Sequence, residues 1–345
     1  MIIYEDDARY AEEQEMTEEH PFAQYIRTLG KGRHGSRSFS RDEAFSAMSM
    51  ILAGEVEPVQ LGAFLMLLRV KEETAEELAG FVSAARKSFV QPDSVPRVDL
   101  DWSSYAGKRR QLPWYVLSAL LLASRDISVF MHGMKSGGDR VHTVDALASL
   151  GIPASNSLND ALDAVSKKGF AFLSFDILSP KLQEIMNLRP LFGLRSPVHT
   201  IARMLNPASA NLSIQGIFHP GYLDSHQQAG KLLGENMVVF KGEGGEAERN
   251  PDLVCKVRTV LDGEMGEEEW PELFAVRHVK DEQMDVARIG KLWRGEIDDE
   301  YARMSVIGTA AIALKAMKRI SMIDAEKMAE AWWESRDVSF VGGLA

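Results

Sequence analysis

Residues 39–89 read FSRDEAFSAMSMILAGEVEPVQLGAFLMLLRVKEETAEELAGFVSAARKSF, and this stretch determines how the first part of the chain folds. The segments Ser40–Glu43 and Thr74–Glu77 are both S/T-x-x-E capping boxes, in which a hydroxyl and a carboxylate satisfy free N–H groups at a helix start. Gly54 is placed to end the first helix. Between the two boxes, apolar residues recur at helical spacing at Leu61, Phe64, Leu65 and Leu68. The pattern predicts a small N-terminal helical domain over roughly residues 1–95.

From Val98 onward, short apolar runs alternate with helical windows, a pattern typical of a parallel sheet covered by helices. The predicted strands are Val98–Leu100, Ser128–His132, Phe170–Phe175, Leu212–Phe218 and Asn236–Lys241. The predicted helices are Pro113–Ser124, Thr143–Leu150, Leu158–Lys167, Pro180–Asn187, Pro197–Leu205, Tyr222–Leu233, Glu300–Lys318 and Ile323–Trp333. Residues 243–272 are expected to form loops and short strands. We therefore predict a larger α/β domain with a mostly parallel central sheet over residues 96–345, with helices from about 180–200 packing on the helical domain.

The composition is that of an ordinary globular protein. Of the 345 residues, 45% are hydrophobic and 26% are charged, and the length suits two domains. No run of about 18 apolar residues predicts a membrane helix, and the acidic first residues are the opposite of a signal peptide. The lone Cys255 excludes an intramolecular disulfide, and no Cys/His cluster has zinc spacing. We expect a cytoplasmic protein with no membrane partner.

The charge is distributed unevenly along the chain. The net charge is -11, which argues at first against a polyanionic partner. Residues 1–20 contain eight carboxylates and one arginine, and residues 262–272 contain six carboxylates and no base. Residues 97–210, in contrast, contain thirteen basic and nine acidic residues. The centre of the chain is therefore where anion binding is expected.

Several segments together resemble a known family. Residues 39–89 resemble the N-terminal helical domain of anthranilate phosphoribosyltransferases and type II nucleoside phosphorylases, that is, glycosyltransferase family 3. The family's landmark motifs are matched in order by His132-Gly133, Ala146–Gly151, Leu188–Gly193 and Leu205–Ala208. The resemblance implies a helical domain and an α/β domain joined by hinge segments, and a homodimer formed through the helical domains. In active members it also implies Mg²⁺ with phosphoribosyl pyrophosphate.

The phosphoribosyl site departs from the family pattern in three places. The GTGGDG loop, whose small residues let backbone N–H groups approach the pyrophosphate, falls on Ser103–Lys108, where only Ala106-Gly107 remains small. The following asparagine-isoleucine-serine-threonine run aligns with Pro113–Val116, and the magnesium-binding aspartate-glutamate pair aligns with Ala247-Glu248. The degenerate site then consists of Ser103, Tyr105, Gly107, His132, Gly133 and Glu248. We therefore predict no catalytic residues, no cofactor and no transfer to anthranilate.

What replaces these motifs resembles another branch of the family. The sequences SYAGKRRQLPWY (104–115), GEGGEAERNP (242–251) and EYARMSVIGTAA (300–311) are similar to YbiB-type proteins of bacteria, a paralogous branch associated with nucleic-acid binding. Glu243 and Glu248 still supply oxygen ligands of the kind that metal ions accept, but loop carboxylates are common and no metal site is predicted.

The first basic group, Lys108-Arg109-Arg110, precedes a predicted helix. Cations at a helix N-terminus oppose the helix dipole, so helix stability does not explain them and a bound anion would. The alternative is a solvated basic loop. Aromatic residues that lie among these cations in the sequence either stack on bases or pack in the core: Trp102, Tyr105, Trp114 and Tyr115.

The second basic group is formed by Arg189, Arg195, His199 and Arg203, and Lys135 and Arg140 extend it. Arg189 matches the family arginine that contacts the acceptor's carboxylate, and a guanidinium suits a phosphate equally well. A structural salt bridge is the alternative for Arg189. The two groups together predict a phosphate-binding groove.

The leading prediction is a homodimeric, non-catalytic protein that binds single-stranded DNA or RNA with low sequence preference. One alternative is a glycosyl- or phosphoribosyltransferase that acts on an unknown acceptor, with Mg²⁺ and phosphoribosyl pyrophosphate. Another is a regulator that binds a protein partner. The fold alone does not decide among the three, since one fold hosts many functions.

Overall fold

A computed structural model describes residues 19–32, 34–89, 96–278 and 283–344. The helical domain contains four helices: α1 (Ala23–Gly30), α2 (Arg41–Ala53), α3 (Pro58–Lys71) and α4 (Ala75–Lys87). Both capping boxes form, at Ser40 with Glu43 and at Thr74 with Glu77, and Gly54 ends α2 in the left-handed conformation. Of the domain predicted over residues 1–95, residues 1–18, 33 and 90–95 lie outside the described residues.

A sheet of seven strands forms the second domain. The strands are β1 (Leu100–Ser104), β2 (Val129–Gly133), β3 (Phe170–Ser174), β4 (Leu212–Ile217), β5 (Met237–Lys241), β6 (Cys255–Leu261) and β7 (Glu264–Trp270). Their order is β3-β2-β1-β4-β5-β6-β7; the first five are parallel, and β6 and β7 add an antiparallel edge. The predicted α/β class with a mostly parallel sheet is confirmed.

The first strand was predicted in the wrong place. It begins at Leu100 and continues to Ser104, whereas the apolar run had suggested Val98–Leu100. The polar residues Asp101, Ser103 and Ser104 interrupt the apolar pattern, yet all three are buried in the strand. Ser103 and Ser104 are therefore strand residues, and the loop that follows β1 begins only at Tyr105.

Helices cover the sheet. They are α5 (Tyr115–Ala123), α6 (Thr143–Ser149), α7 (Leu158–Lys168), α8 (Phe175–Leu178), α9 (Pro180–Met186), α10 (Arg189–Phe192), α11 (Val198–Ile201), α12 (Leu223–Leu233), α13 (Ala287–Arg294), α14 (Glu300–Lys318) and α15 (Met322–Glu334). The helix predicted over Pro197–Leu205 is divided into α11 and a 3₁₀ turn at Ala202–Met204, and α13 was not predicted. Across the described ranges, no helix combines the length and the apolar character that a membrane crossing requires.

Two large cores hold the molecule together. One lies between the sheet and helices α5, α13, α14 and α15. The other joins the helical domain to part of the α/β domain, because Phe64 and Phe81 share a cluster with Leu182, Ile185 and Ile201. Helix α4 also packs against α12. The segment between α9 and α11 is thus built onto the helical domain, and it brings Arg189 and Arg195 to the boundary between the two domains.

The sheet order places the candidate site. From β1 the chain moves to β2 and β3 on one side, and it then crosses to β4 on the other side of β1. Ligands of open α/β sheets bind beyond the carboxyl ends of the strands at such a switch point. The loops that begin at Tyr105 and Phe218 follow β1 and β4 there, and the loop that begins at Gly242 follows the neighbouring β5.

Candidate functional site: a filled phosphate loop beside an arginine cluster

The loop after β1 binds an anion that belongs to the chain itself. The backbone N–H groups of Ala106 and Gly107 donate to the same carboxylate oxygen of Glu246, at 2.7 and 2.5 Å. Glu246 is 1% exposed. Adjacent N–H groups that converge in a turn form a concave anion site. Here that site is filled by a side chain from the loop after β5.

Close backbone packing holds Glu246 in this position. A Cβ on Gly242 would lie 1.5 Å from the carbonyl oxygen of Glu246, and a Cβ on Gly216 would lie 2.1 Å from its carbonyl carbon. Glycine is therefore required at both positions for the loop to approach β4. The glycine-rich sequence GEGGE lets the chain turn back immediately after β5, which aims the carboxylate at the loop after β1.

A second internal carboxylate, Glu248, occupies the start of α5. One of its oxygens accepts from the backbone N–H of Tyr115 at 2.8 Å, and the other pairs with the Lys108 ammonium at 2.5 Å. Both side chains are at most 1% exposed. Burial raises the pKa of Glu248 to about 7, although Lys108 opposes this shift. We refer to Glu246 and Glu248 together as the internal carboxylates.

The structure corrects the prediction for Lys108. The sequence placed it with Arg109 and Arg110 as an exposed phosphate contact, but its ammonium is buried against Glu248 and also lies 3.3 Å from the carbonyl of Glu243. The anion inferred at this helix start exists, and it is Glu248 rather than a bound phosphate. The helical spacing of the apolar residues gives no sign of this pair, which joins residues 140 positions apart.

The residues present do not fit Mg²⁺ with phosphoribosyl pyrophosphate. One oxygen of Glu246 takes up the N–H groups of the loop that a pyrophosphate would need, and both oxygens of Glu248 are bonded, one to Lys108 and the other to Tyr115. Within the described ranges, no three His, Cys, Asp or Glu side chains are grouped as metal ligands. The Oε2 atom of Glu243 accepts from the Asn250 amide at 2.8 Å.

The other residues of the degenerate site form buried polar networks. Tyr105 Oη lies 2.6 Å from Nδ1 of His132, whose Nε2 lies 3.2 Å from Asp101. Burial, and then the charge of Asp101, raises the pKa of Tyr105 well above its ordinary value. Ser103 is buried beside them on β1. Gly133 ends β2, where a Cβ would lie 2.0 Å from the carbonyl oxygen of Ser104, and Gly107 adopts a φ of 67°.

The predicted base-stacking aromatics belong to the core. Trp102, Trp114 and Tyr115 are fully buried, and Tyr105 is 4% exposed. Tyr115 also closes a hydroxyl triangle with Ser104 and Thr143, with separations of 2.6 to 2.9 Å. The alternative of core packing, left open by the sequence, is therefore the correct one for all four aromatic rings.

Four arginines converge next to the internal carboxylates, and we call them the arginine cluster: Arg140, Arg189, Arg195 and Arg203. Burial, and then the charges of Arg203, Arg189 and Arg140, lowers the pKa of Arg195 to about 10. Burial and Arg203 also lower the pKa of His199 to about 3, so this imidazole is neutral. Such mutual effects require the cationic groups to lie close together.

The members of the arginine cluster differ in their contacts. Arg203 is 8% exposed and donates to the carbonyl groups of Gly216 and His199. Arg140 donates to the carbonyl groups of Ala106 and Gly107, at 2.9 and 3.0 Å. Arg189 is exposed and Arg195 is partly exposed, and in the described part of the chain neither forms an ion pair. The charge of Glu246 acts on Arg140, Arg195 and Arg203, and Asp139 acts on Arg140 as well.

The remaining predicted cations lie on the surface. Arg109 is exposed, pairs with Asp139 at 3.0 Å, and is close enough to Arg140 to lower its pKa. Lys135 is exposed and pairs with Asp176 at 3.1 Å. Arg110 is exposed as well. The structure thus brings Arg109 beside the arginine cluster and excludes Lys108 from the phosphate contacts predicted from the sequence.

The helical bundle, the parallel sheet and the altered phosphate loop at its switch point together define a phosphoribosyltransferase-like scaffold. The chain belongs to the glycosyl transferase family: residues 23–89 match its helical bundle domain and residues 115–328 match its α/β domain. The family predicted from the sequence motifs is therefore confirmed.

Relatives of this chain include both proteins with an assigned activity and proteins without one. It is 28% identical to anthranilate phosphoribosyltransferase of Thermus thermophilus over 208 residues, which are 59% of this chain and 63% of that enzyme. It is 26% identical to the uncharacterized protein YbiB of Escherichia coli over 243 residues, 69% of this chain and 76% of YbiB. An uncharacterized protein of Aquifex aeolicus is 31% identical over 239 residues, 68% of this chain and 72% of that protein.

Solved structures share the whole fold. The crystal structure of anthranilate phosphoribosyltransferase from Thermus thermophilus superposes with a TM-score of 0.77 at 22% identity, covering 93% of this chain and 99% of that chain. The Saccharomyces cerevisiae enzyme in complex with PRPP and Mg superposes with a TM-score of 0.75 at 18% identity, covering 95% and 98%. At such identities the similarity establishes the fold alone.

Proposed function

We propose that this chain is a non-catalytic protein that binds single-stranded nucleic acid, with low sequence preference, on a phosphoribosyltransferase scaffold. The observation that carries the proposal is the pairing of a filled phosphate loop with an arginine cluster that lacks acidic partners on its exposed members. Phosphate contacts carry no sequence information, so binding through this cluster would be similar for unrelated sequences.

Two arguments support an external anion at the arginine cluster. Arginines that repel one another and lie partly buried lower folding stability unless something else neutralises them. Glu246, and Asp139 at Arg140, are the acidic groups that act on this cluster of four positive charges. Arg189 and Arg195 also lie on the segment between α9 and α11, where the two domains meet, so a strand in this groove would contact both domains. The guanidinium fork suits phosphate oxygens.

Titration of purified protein with fluorescently labelled 20-mers of unrelated sequence tests this proposal directly. The protein is first washed in high salt until its 260/280 absorbance ratio is that of protein alone. We expect similar affinities for all the single strands and a linear fall of log K with log salt, with about 0.7 in slope for each phosphate contact. A flat salt dependence, or no binding at low salt, would refute the proposal.

A second candidate function is transfer of a glycosyl or phosphoribosyl group to an unknown acceptor, and membership in the glycosyl transferase family favours it. In that case Mg²⁺ with phosphoribosyl pyrophosphate would be the cofactor pair, and Glu246 would have to leave the loop after β1. Magnesium-dependent calorimetric binding of phosphoribosyl pyrophosphate to the wild-type protein would establish this candidate over the first. The third function considered from the sequence, a regulator that binds a protein partner, stays a prediction, and no feature of the described residues favours it.

We also propose that the chain is a homodimer formed through the helical domain. Val59 and Val70 lie on one face of α3 and are 78% and 85% exposed. Leu191, 81% exposed, continues this apolar face, because the neighbouring Phe192 lies against Gly62 of α3. A second copy of the chain would cover it. Sedimentation should show a dimer for the wild type and a monomer for Val59→Glu/Val70→Glu, whereas an unchanged dimer would exclude this face.

The localisation predicted from the sequence, the cytoplasm, stays a prediction, and cell fractionation would test it.

A further inference from the structure

We propose that Phe218, together with His219, forms a stacking surface for one unpaired nucleobase beside the arginine cluster. This inference rests on the proposed function and deepens it, because it names the group that selects single strands. Phosphate contacts alone do not distinguish a single strand from a duplex, whereas a stacking ring requires a base whose face is free.

Phe218 is unusual among the aromatic residues of this protein. It is 54% exposed, and among the large apolar side chains that are exposed in the described ranges it is the aromatic one. The ring of His219 is exposed as well, and its centroid lies 4.8 Å from the centroid of the Phe218 ring in an edge-to-face arrangement. Together they present two aromatic surfaces to solvent immediately after β4, at the switch point of the sheet.

The backbone of Phe218 is held firmly. A Cβ on Gly245 would lie 3.2 Å from the Cβ of Phe218 and 3.4 Å from the Cβ of Ala106, so the loops after β1, β4 and β5 meet here. Pro220 begins the following 3₁₀ turn and restricts the chain beyond His219. A ring on a fixed backbone loses little conformational freedom when a base stacks on it.

The ring lies beside backbone groups that bind two members of the arginine cluster. Arg203 donates to the carbonyl of Gly216, two residues before Phe218, at 3.0 Å. Arg140 donates to the carbonyl of Ala106 at 2.9 Å. Gly245 lies beside both Ala106 and Phe218. The charge of Glu246, adjacent to Gly245, acts on Arg140, Arg195 and Arg203. The loops that position Phe218 therefore also contact Arg140 and Arg203, and a strand bound at the arginine cluster would bring a base within reach of the ring.

Titration with two labelled probes tests the inference: a 20-mer of thymidines and a 20-mer of abasic residues that keeps the same phosphates. Phe218→Ala should bind the thymidine strand about 5- to 150-fold more weakly than the wild type, the range measured for one stacked base, and should bind the abasic strand unchanged. Phe218→Trp, unlike Phe218→Ala, should bind the thymidine strand about as tightly as the wild type does. The matched control is Ile323→Ala, which removes a side chain that is 63% exposed on α15.

The possible outcomes are distinct. Equal binding of the thymidine strand by Phe218→Ala and wild type would overturn the stacking role and leave the proposed function intact. An equal loss on both probes would also overturn it, because the residue would then act on phosphate binding or on the fold. If the wild type binds neither probe, the proposed function and the stacking role both fail.

Discussion

Two neighbouring regions of this protein, the loop after β1 with the start of α5 and the arginine cluster, differ in how their charge is balanced. At the loop after β1 and the start of α5, every anion-binding group has an internal partner: Glu246 on the two loop N–H groups, and Glu248 on Lys108 and Tyr115. In the arginine cluster, Arg189 and Arg195 have none within the described ranges.

This difference shows how one fold can hold neighbouring charged groups in opposite states of balance. The N–H groups of the loop after β1 are taken up by a carboxylate of the same chain. Arg189 and Arg195, which form no ion pair within the described ranges, are the cations to which the proposed function assigns an external anion.

The largest effect is expected from breaking the buried Lys108–Glu248 pair. Lys108→Met should reduce the free energy of unfolding by about 3–5 kcal/mol, because it leaves the Glu248 carboxylate buried without its counter-charge. Lys108→Met/Glu248→Leu should recover much of that loss. Urea unfolding measures both.

Lys167→Met is the control for this pair, since Lys167 lies on the surface and pairs with the exposed Asp163. It should change stability by less than about 0.5 kcal/mol. A cost below about 1 kcal/mol for Lys108→Met would contradict the buried pair.

A smaller effect is expected from emptying the phosphate loop. Glu246→Ala frees the N–H groups of Ala106 and Gly107, and it removes the carboxylate that would repel an anion. Inorganic pyrophosphate should therefore bind the variant at least about 10- to 100-fold more tightly than the wild type, the gain from one hydrogen bond to a charged group at about 1.5–3 kcal/mol. Calorimetry measures this gain.

The neighbouring Glu243→Ala should leave pyrophosphate binding as it is in the wild type, because Glu243 contacts Asn250 instead. If Glu246→Ala binds no better than the wild type, the loop is not a filled anion site.

The smallest effect concerns His226, a buried residue of α12 whose Nδ1 lies 2.9 Å from Oε1 of Gln215. Burial, and then Arg203, lowers its pKa from 6.5 to about 3. The folded protein therefore keeps His226 neutral while the unfolded chain binds a proton below pH 6.5, so stability is lost as the pH falls from 6.5 towards 3. One such histidine contributes about 1.4 kcal/mol per pH unit.

Replacing His226 by Gln should remove this contribution. The unfolding free energy is measured at several pH values between 7.5 and 5. Near pH 5 the wild type should lose stability faster than His226→Gln, by about 1.4 kcal/mol per pH unit. Parallel curves for the two proteins would mean that His226 is protonated in the folded state.

Local sequence patterns predicted the elements of this fold well. Capping boxes predicted α2 and α4, and the apolar run from Phe170 predicted β3, because these signals lie within a few residues of one another. The position predicted for β1 was wrong because the buried polar residues of this strand do not follow the apolar pattern by which strands are predicted. Whether a polar residue can be buried in a strand depends on its partners elsewhere in the chain.

The site was less predictable for the same reason. The charge of Lys108 suggested a surface contact, but its partner lies 140 residues away, and no local pattern reports such a pair. Glu246 and Phe218 were not identified as site residues. The glycine-rich GEGGE loop and the aromatic residue that follows β4 were visible in the sequence, but only the tertiary contacts between their loops give them a role.

The salt dependence of single-strand binding tests the central comparison most directly. Two variants each remove two arginines: Arg189→Gln/Arg195→Gln in the open cluster, and Arg294→Gln/Arg319→Gln, whose arginines are paired with Glu296 and Asp262 elsewhere on the surface. The first pair should lower the slope of log K against log salt by about 1.4, equivalent to about 25-fold weaker binding at 0.1 M salt, since each phosphate contact on a single strand contributes about 0.7. The second pair should leave the slope close to that of the wild type. Equal changes for both pairs, or no change for the first, would contradict the assignment of external phosphate to the arginine cluster.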